Sequence, residues 1–275
     1  MPASGYSRKV VAYLDVLGFR SIILETAQGR DPTEFPNCFL GEAHSDVNHV
    51  GCRESERELG TAKYKLLQRE VSAGNPRKSA VAYFSDSILI SADADEIGIA
   101  DLVSRIRFLQ LAFLWEADLP VRGGIAFGDI VHEKTRMYGP ALIEAYDLER
   151  APPGHPRVVV SENAIPLLRE NPSVAADLDL TRDTDGRQIL DLFGSGLGTI
   201  GDRQRREVFG GHRASIEISL RGLKGSEQGS DLRVRSKWRY LIGQLNSTMS
   251  RFSIPGMPIP DWLAAEDYPE IVWYA

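Results

Sequence analysis

The segment Ser79–Asp93, SAVAYFSDSILISAD, constrains the fold of this chain most. It contains two short apolar arms, Ala80–Phe84 and Ile88–Ser91, that are separated only by the polar residues Ser-Asp-Ser. Arms this close together pair as an antiparallel hairpin, because a parallel connection needs roughly a dozen residues or more. The chain therefore contains an antiparallel strand pair, and a sheet that is parallel throughout is excluded.

Three further segments are predicted to be strands because they are short, apolar and rich in β-branched residues. They are Lys9–Val16, Val121–His132 and Arg157–Val160. Two segments are predicted to be helices: Glu96–Glu116, which has apolar side chains on one helical face, and the stretch that begins at Gly139-Pro140. Strands joined both by a hairpin and by crossovers make a mixed sheet, so the predicted class is α+β with a ferredoxin-like arrangement.

The predicted domain organisation is a domain of residues 1–175 followed by an elaboration of residues 176–275 that packs on the same domain. Residues 26–52 are polar, without a clean period, and are predicted to form an irregular insertion. The other predictions in these regions are a helix at Glu54–Ser72, strands at Arg187–Phe193 and Ile216–Leu220, a cap at Ser161 for a short helix that ends at Leu168, and a helix at Ser236–Met249.

Composition excludes several classes of protein. The chain has 275 residues, 43% of them hydrophobic and 25% charged, which is ordinary for a globular protein. Lys and Arg number 32 against 38 Asp and Glu, for a net charge of -6, which argues against a broad nucleic-acid surface. No apolar run is long enough for a membrane span, no secretory signal is expected, and two cysteines favour the reducing cytoplasm.

Two acids interrupt otherwise apolar segments. Asp15 lies in VVAYLDVLGF and Asp86 lies in VAYFSDSILIS. A carboxylate in such a place is costly to bury without a partner, and two of them at one end of a sheet favour a divalent cation with hard oxygen ligands, Mg²⁺ or Mn²⁺. The spacing leaves open a second interpretation, in which Asp15 caps a helix and Asp86 is a turn residue.

Leu17, Gly18 and Phe19 follow the first acid at a predicted strand-to-helix junction. Backbone N–H groups at a junction opened by a glycine can hold phosphate groups. One glycine is a weak signal alone, and it gains weight from the acid that precedes it.

Five sequence blocks resemble a known family. In chain order they are YLDVLGF, FSDSILIS, VRGGIAFGDIVH, YGPALIEAYDLER and RVVVSENAIPLL. Together they resemble the catalytic domain of class III nucleotidyl cyclases, and most closely the pyrimidine cyclases of the Pycsar antiphage system. The resemblance runs from about Lys9 to Leu168.

The resemblance implies two divalent cations held by Asp15 and Asp86, with help from the backbone carbonyl of Val16. The implied reaction is attack of a ribose 3′-hydroxyl on its own α-phosphorus with loss of pyrophosphate, in which one metal lowers the hydroxyl pKa and the other neutralises phosphates. Arg122, in the RxGI segment, is expected to bind phosphate, because a guanidinium suits bidentate contact. Its alternative role is a surface ion pair.

The implied substrate is UTP or CTP, with UTP favoured, and the product is the 3′,5′-cyclic monophosphate. Adenylate cyclases carry an Asn and an Arg on the helix after the RxGI strand, whereas here the corresponding positions fall near Ile143 and Asp147. The missing pair fits the pyrimidine branch. The resemblance further implies a head-to-tail homodimer, antiphage defence and a separately encoded effector that the product activates. The alternatives are a purine cyclase of the same fold and a catalytically silent dimer that binds nucleotide.

The helix after Gly139-Pro140 carries both polar and apolar positions of the YGPAL…E pattern. Its polar members, of open role, are Tyr138, Glu144, Tyr146 and Glu149, and its apolar face is predicted to comprise Ala141, Ala145 and Leu148.

Two other motifs are weaker. Cys38, His44, His49 and Cys52 could bind zinc but lack a close Cys-Cys knuckle, so an irregular insertion is preferred. The Gly-rich run from Gly196 to Gly201 matches a dinucleotide fingerprint in letters only, because no suitable acid follows it, and it is predicted to be a loop.

Overall fold

The computed structural model describes residues 5–26, 79–133, 136–172, 180–194, 200–223 and 232–253. The strands are β1 (Ser7–Val16), β2 (Ala80–Phe84), β3 (Ser87–Asp93), β4 (Val121–Glu133), β5 (Arg136–Tyr138), β6 (Val158–Val160), β7 (Leu180–Arg182) and β8 (Gln188–Leu190). The helices are α1 (Phe19–Thr26), α2 (Glu96–Ala117), α3 (Pro140–Arg150), α4 (Ile165–Glu170), α5 (Asp202–Leu223) and α6 (Leu232–Arg251). The predicted insertion, beyond residue 26, and the predicted helix at Glu54–Ser72 lie outside the described residues.

The eight strands form one mixed sheet in the order β2-β3-β1-β4-β6-β8-β7, and β5 pairs with β4. Every described strand pair is antiparallel except β4 with β6. The first four strands stand in the order β2-β3-β1-β4, with α2 crossing from β3 to β4, as in a ferredoxin-like βαββαβ unit. The predicted α+β class, with its largely antiparallel sheet, is confirmed.

Helix α2 covers one face of the sheet. Its N-terminus is capped by Asp95, whose side chain accepts a hydrogen bond from the Gly98 N–H at 2.7 Å. The predicted apolar face is confirmed, because all five of its residues are buried: Ile99, Leu102, Ile106, Leu109 and Phe113. They share one core cluster with the alternate β1 residues Val10, Ala12, Leu14 and Val16. The other β1 residues therefore point to the opposite face.

Helix α3 lies on that opposite face, over β1 and β4. The approach is close at Gly124, where an added Cβ would stand 2.1 Å from the carbonyl oxygen of Ala145. Glycines inside a strand mark a bulge or a close approach by another element, and at Gly124 the close neighbour is the backbone of α3. Farther along, Val11, Ile130 and Ala141 form a small separate core cluster.

Two local predictions are corrected. Ile216–Leu220, predicted to be a strand, lies inside helix α5. Its buried residues recur at helical spacing with Phe209 and His212, so the helical period outweighs the β-branched composition. The short helix expected to start after Ser161 begins at Ile165, and Ser161–Ala164 forms a turn whose Ser161 carbonyl accepts from the Ala164 N–H at 3.0 Å.

The chain forms two compact units, Met1–Thr199 and Ile200–Ala275. The first contains the whole sheet, including the β7–β8 hairpin, and the second contains α5 and α6. The predicted domain boundary near residue 175 stays a prediction. Among the helices in the described ranges, none combines the length and apolarity needed to cross a membrane.

Candidate active site

Asp15 and Asp86 lie at the same end of the sheet. Asp15 is the penultimate residue of β1 and faces Ser87, the first residue of β3. The Val16 N–H donates to the carbonyl oxygen of Asp86 at 2.9 Å, which ties the β2–β3 turn to the end of β1. Ser85 adopts a left-handed conformation, φ 56°, to make that tight turn. The hairpin thus brings the second acid beside the first.

Arg122 faces Asp15 from the other side. Strand β4 pairs with β1 so that Arg122 stands directly opposite Asp15. Its Nε–H donates to Asp15 Oδ2 at 2.9 Å, and the two side chains are only 28% and 16% exposed. Because charge-assisted hydrogen bonds strengthen as water is excluded, this pair is a substantial interaction and not a solvated surface contact.

Glu149 is a third acid at this site, and its role is open from the sequence alone. Residues Ala141, Ala145 and Glu149 form the buried stripe of α3, at i, i+4 and i+8. The stripe carries the carboxylate to the sheet, where Glu149 Oε1 lies 2.5 Å from Arg122 Nε with the side chain 3% exposed. The signal that could have identified it is an acid continuing the Ala141–Ala145 stripe, where burial is costly.

The pKa of Glu149 is raised above its ordinary value. Burial of the carboxyl is the largest cause, and the negative charges of Asp15 and Asp86 act in the same direction. The positive charge of Arg122 opposes them but does not reverse the shift. At this carboxyl, burial and the neighbouring acids thus outweigh the charge of Arg122.

The predicted phosphate segment, residues 17–19, directly follows β1. The Leu17 N–H donates to the Pro120 carbonyl oxygen at 2.9 Å, and the Leu17 side chain is buried. Gly18 is exposed and has φ 94°, which an L side chain rarely adopts. Phe19 begins α1 and packs against the main core. The Leu17 and Phe19 side chains therefore contribute to packing, and Gly18 lies at the exposed point between β1 and α1.

Two tyrosines adjoin the acids. Tyr13 precedes Asp15 by two residues, and therefore lies on the same face of β1. Its hydroxyl is 2.7 Å from Ser87 Oγ, and its ring meets Tyr146 of α3 edge-on at 5.2 Å. Burial is the main cause of a raised pKa for Tyr13, so its phenol stays protonated. This aromatic pair forms one wall of the site.

The outer side of α3 is open. An open depression of about 440 Å³ is lined by Ile143, Glu144, Asp147 and Arg187 among others. Ile143 is 63% exposed and Asp147 is exposed, so this side of α3 presents an aliphatic side chain and a carboxylate.

The residues fit a divalent cation by charge and by donor type. Asp15 and Asp86 supply hard carboxylate oxygens, and with Glu149 they outnumber the one guanidinium among them. Within the described ranges no group of three His, Cys, Asp or Glu forms a metal cluster, so the site would rest on two carboxylates and main-chain oxygen. The four candidate zinc residues and the glycines Gly196 and Gly198 lie outside the described residues.

No protein-family model and no curated protein sequence matches the chain. Several solved structures are similar to it, including the following three. One is a class III adenylyl cyclase-like ATP-binding protein from Pseudomonas aeruginosa, which is 14% identical to this chain. The match covers 60% of this chain and 36% of that protein, with a TM-score of 0.33. A bacterial light-regulated adenylyl cyclase is 10% identical over 75% of this chain and 98% of its own, with a TM-score of 0.35.

The third structure is the catalytic core of a rhodopsin-guanylyl cyclase with converted specificity in complex with ATPalphaS. It is 12% identical over 67% of this chain and 93% of its own, with a TM-score of 0.34. This chain thus spans about a third of the Pseudomonas protein and nearly all of the other two chains.

Proposed function

We propose that this chain is a nucleotidyl cyclase of the class III type that converts a pyrimidine nucleoside triphosphate, UTP or CTP, to its 3′,5′-cyclic monophosphate and pyrophosphate. The observation that carries the proposal is the meeting of Asp15 and Asp86 through the Val16–Asp86 hydrogen bond, with Arg122 on Asp15. Together with the ordered sequence blocks, this arrangement supports phosphoryl transfer, which depends on positioning and charge neutralisation.

Asp15 and Asp86, with the Val16 carbonyl, would hold two Mn²⁺ or Mg²⁺ ions. Bound there, the cations would supply a lower pKa for the 3′-hydroxyl and neutralisation of the phosphate charge. The chain contributes the rest. Arg122 lies beside Asp15 with its guanidinium ready to contact a phosphate oxygen, and the Gly18–Phe19 backbone offers N–H groups at the start of α1.

The substrate class rests on what the outer side of α3 lacks. Ile143 and Asp147 cannot donate the hydrogen bonds that an Asn/Arg pair gives to ribose and the transition state. This absence favours the pyrimidine branch, with UTP as the preferred substrate. A purine cyclase of the same fold is the alternative, because the geometry of the acids does not distinguish bases.

The proposal extends to assembly and biology. The active form would be a head-to-tail homodimer in the cytoplasm, and the cyclic nucleotide would activate a separately encoded effector in antiphage defence. The test is phage plating on cells that express the intact chain with such an effector, or the chain with Asp86→Asn. Equal plating on both would contradict a defence role that depends on catalysis.

The biochemical test is mass spectrometry of products after incubation with ATP, GTP, CTP or UTP and Mn²⁺. A cyclic pyrimidine product from UTP or CTP is the expected result. A purine product would overturn the substrate assignment but retain the reaction. If the chain forms no product even in lysate of infected cells, the alternative of a silent nucleotide-binding dimer replaces the proposal.

Matched variants test the metal acids. Asp15→Asn and Asp86→Asn keep side-chain size but remove the negative charge, and each is expected to lower the rate by at least about 100-fold, because cation binding contributes several kcal/mol. Asp129→Asn, an exposed acid on β4, is the control and should retain full activity. Parent-rate cyclisation by Asp86→Asn would show that the metal assignment is wrong.

A further inference from the structure

One nitrogen of Arg122 lies against two carboxylates. Its Nε–H donates to Asp15 Oδ2 at 2.9 Å, and the same Nε lies 2.5 Å from Glu149 Oε1. Nε carries a single hydrogen, and Asp15 takes it. Glu149 Oε1 is buried and accepts no hydrogen bond in the described part of the chain.

A buried acceptor without a hydrogen bond is costly, and a native chain that keeps one requires an explanation. Here the missing donor is already in place. If Asp15 released the Nε–H, Glu149 could accept it with little movement of the guanidinium. The carboxylates of Asp15 and Glu149 are therefore alternative acceptors for the Arg122 guanidinium.

Under the proposed function, Arg122 and a divalent cation compete for the Asp15 carboxylate. Arg122 must give up Asp15, at least in part, before that carboxylate can coordinate a metal. Without a second acceptor, the Arg122 guanidinium would then lack a carboxylate partner at a site where the Arg122 and Asp15 side chains are largely buried. Its unpaired positive charge would oppose binding of the metal ion.

We propose that Glu149 is a positioning residue that accepts the Arg122 guanidinium from Asp15 when Asp15 binds a divalent cation. The inference rests on the proposed function for the identity of that cation. Glu149 need not touch metal or substrate: it lowers the cost of freeing Asp15 and keeps Arg122 within the site.

The test measures Mn²⁺ binding directly on the full chain, without nucleotide, by the free Mn²⁺ signal in electron paramagnetic resonance. Glu149→Gln is expected to raise the Mn²⁺ dissociation constant about tenfold, within the range of coupling between contacting residues. The same change in an Arg122→Met background should raise it less than about threefold, because no guanidinium then competes for Asp15. Equal effects in both backgrounds would overturn the proposal, since Glu149 would then act on the metal by charge alone.

A second variant keeps the charge. Glu149→Asp retracts the carboxylate from Arg122 Nε but remains anionic. The proposal therefore expects weaker Mn²⁺ binding, whereas an effect of charge alone would leave the Mn²⁺ affinity unchanged. Wild-type affinity in Glu149→Asp contradicts the proposal. This variant serves where Glu149→Gln does not fold, as judged by near-ultraviolet circular dichroism.

A matched control and a separate outcome complete the design. Glu144→Gln removes another acid from α3 that contacts Asn163 instead of Arg122, and its Mn²⁺ affinity should equal that of the wild type. If Asp15→Asn and Asp86→Asn both bind Mn²⁺ as tightly as the wild type, then the proposed metal site is wrong. That result concerns the proposed function and is distinct from a failure of the Glu149 proposal.

Discussion

At the scale of single residues, the position of a charge along an element decides its environment. Asp15, Arg122 and Glu149 come from two strands and a helix, and each is exposed by less than a third. Burial penalises all three, so each depends on the others. The shared guanidinium makes the site a coupled unit in which substitution of one member changes the other two.

His132 provides a residue-scale prediction away from the acids. Its Nδ1 lies 2.5 Å from Oγ of buried Ser91, and burial, then the charge of Lys9, lowers the pKa of His132 below its ordinary 6.5. Below pH 6.5 the unfolded chain therefore binds the proton more readily, and the free energy of unfolding should fall as the pH falls, by at most about 1.4 kcal/mol per pH unit.

The measurement is urea unfolding at about pH 7.5 and about pH 5.5 for the wild type and His132→Gln. The loss of stability on acidification should be smaller in the variant. His155, whose pKa is also lowered by burial, is present in both proteins and cancels in the comparison. The same acid-induced loss in wild type and variant would contradict the assignment.

At the scale of elements, the distance between α3 and the sheet determines whether Glu149 reaches Arg122. At Gly124 there is no space for a methyl group, because an added Cβ would stand 2.1 Å from Ala145 O and 2.7 Å from Leu148 Cβ. Gly128, four residues farther along β4, is less crowded, because an added Cβ there would lie 3.4 Å from Ala141 Cβ.

Gly124→Ala should push α3 from the sheet and lower the free energy of unfolding by about 1–3 kcal/mol, the usual range for an overpacked core. Because α3 carries Glu149, the variant should also lose the proposed cyclase activity. Gly128→Ala is the matched control, with smaller effects on both. Urea unfolding and product formation measure the two quantities, and equal behaviour of both variants would show that the close approach at Gly124 is not critical.

The elements also show where sequence analysis works. The β2–β3 hairpin was predictable because three polar residues permit only one connection, and α2 was predictable because its apolar face has a clear period. The sequence of α3 leaves the role of Glu149 open because Leu148 also continues the apolar spacing of Ala141 and Ala145, whereas in the structure the buried stripe continues to Glu149. In α5, the β-branched composition near Ile216 favours a strand. The helical spacing becomes evident only when the buried residues Phe209, His212 and Ile216 are considered together.

The pairing of Arg122 with Glu149 could not be predicted from the sequence. It depends on how closely α3 approaches β4, which is a property of packing at Gly124 and not of any motif. The meeting of Asp15 and Asp86 was a hypothesis from two interrupted apolar segments, and the register of β1 with β3 supplies its geometry.

At the scale of the whole molecule, the proposed homodimer gives a prediction. In the proposed homodimer the active site would lie between the two subunits, and Ile143 and Tyr146 leave apolar surface exposed on α3 beside the acids. Sedimentation equilibrium should therefore give twice the mass of one chain, and specific activity should fall on dilution as the dimer dissociates. Full activity in a species with the mass of one chain would contradict the assembly.

The central position of β1 has a consequence for synthesis of the chain. Strand β1 is made first, yet its two neighbours, β3 and β4, lie far along the sequence. At translation rates of about 5–20 residues per second, the ribosome needs roughly 4–15 seconds after Val16 to complete β3, the first of these neighbours. Throughout that interval Val10, Val11, Ala12 and Leu14 lack both of the strands that flank β1 in the described sheet, although all four are fully buried in the folded protein. A nascent chain with this topology is a natural client for chaperones that shield apolar strands until their partners emerge.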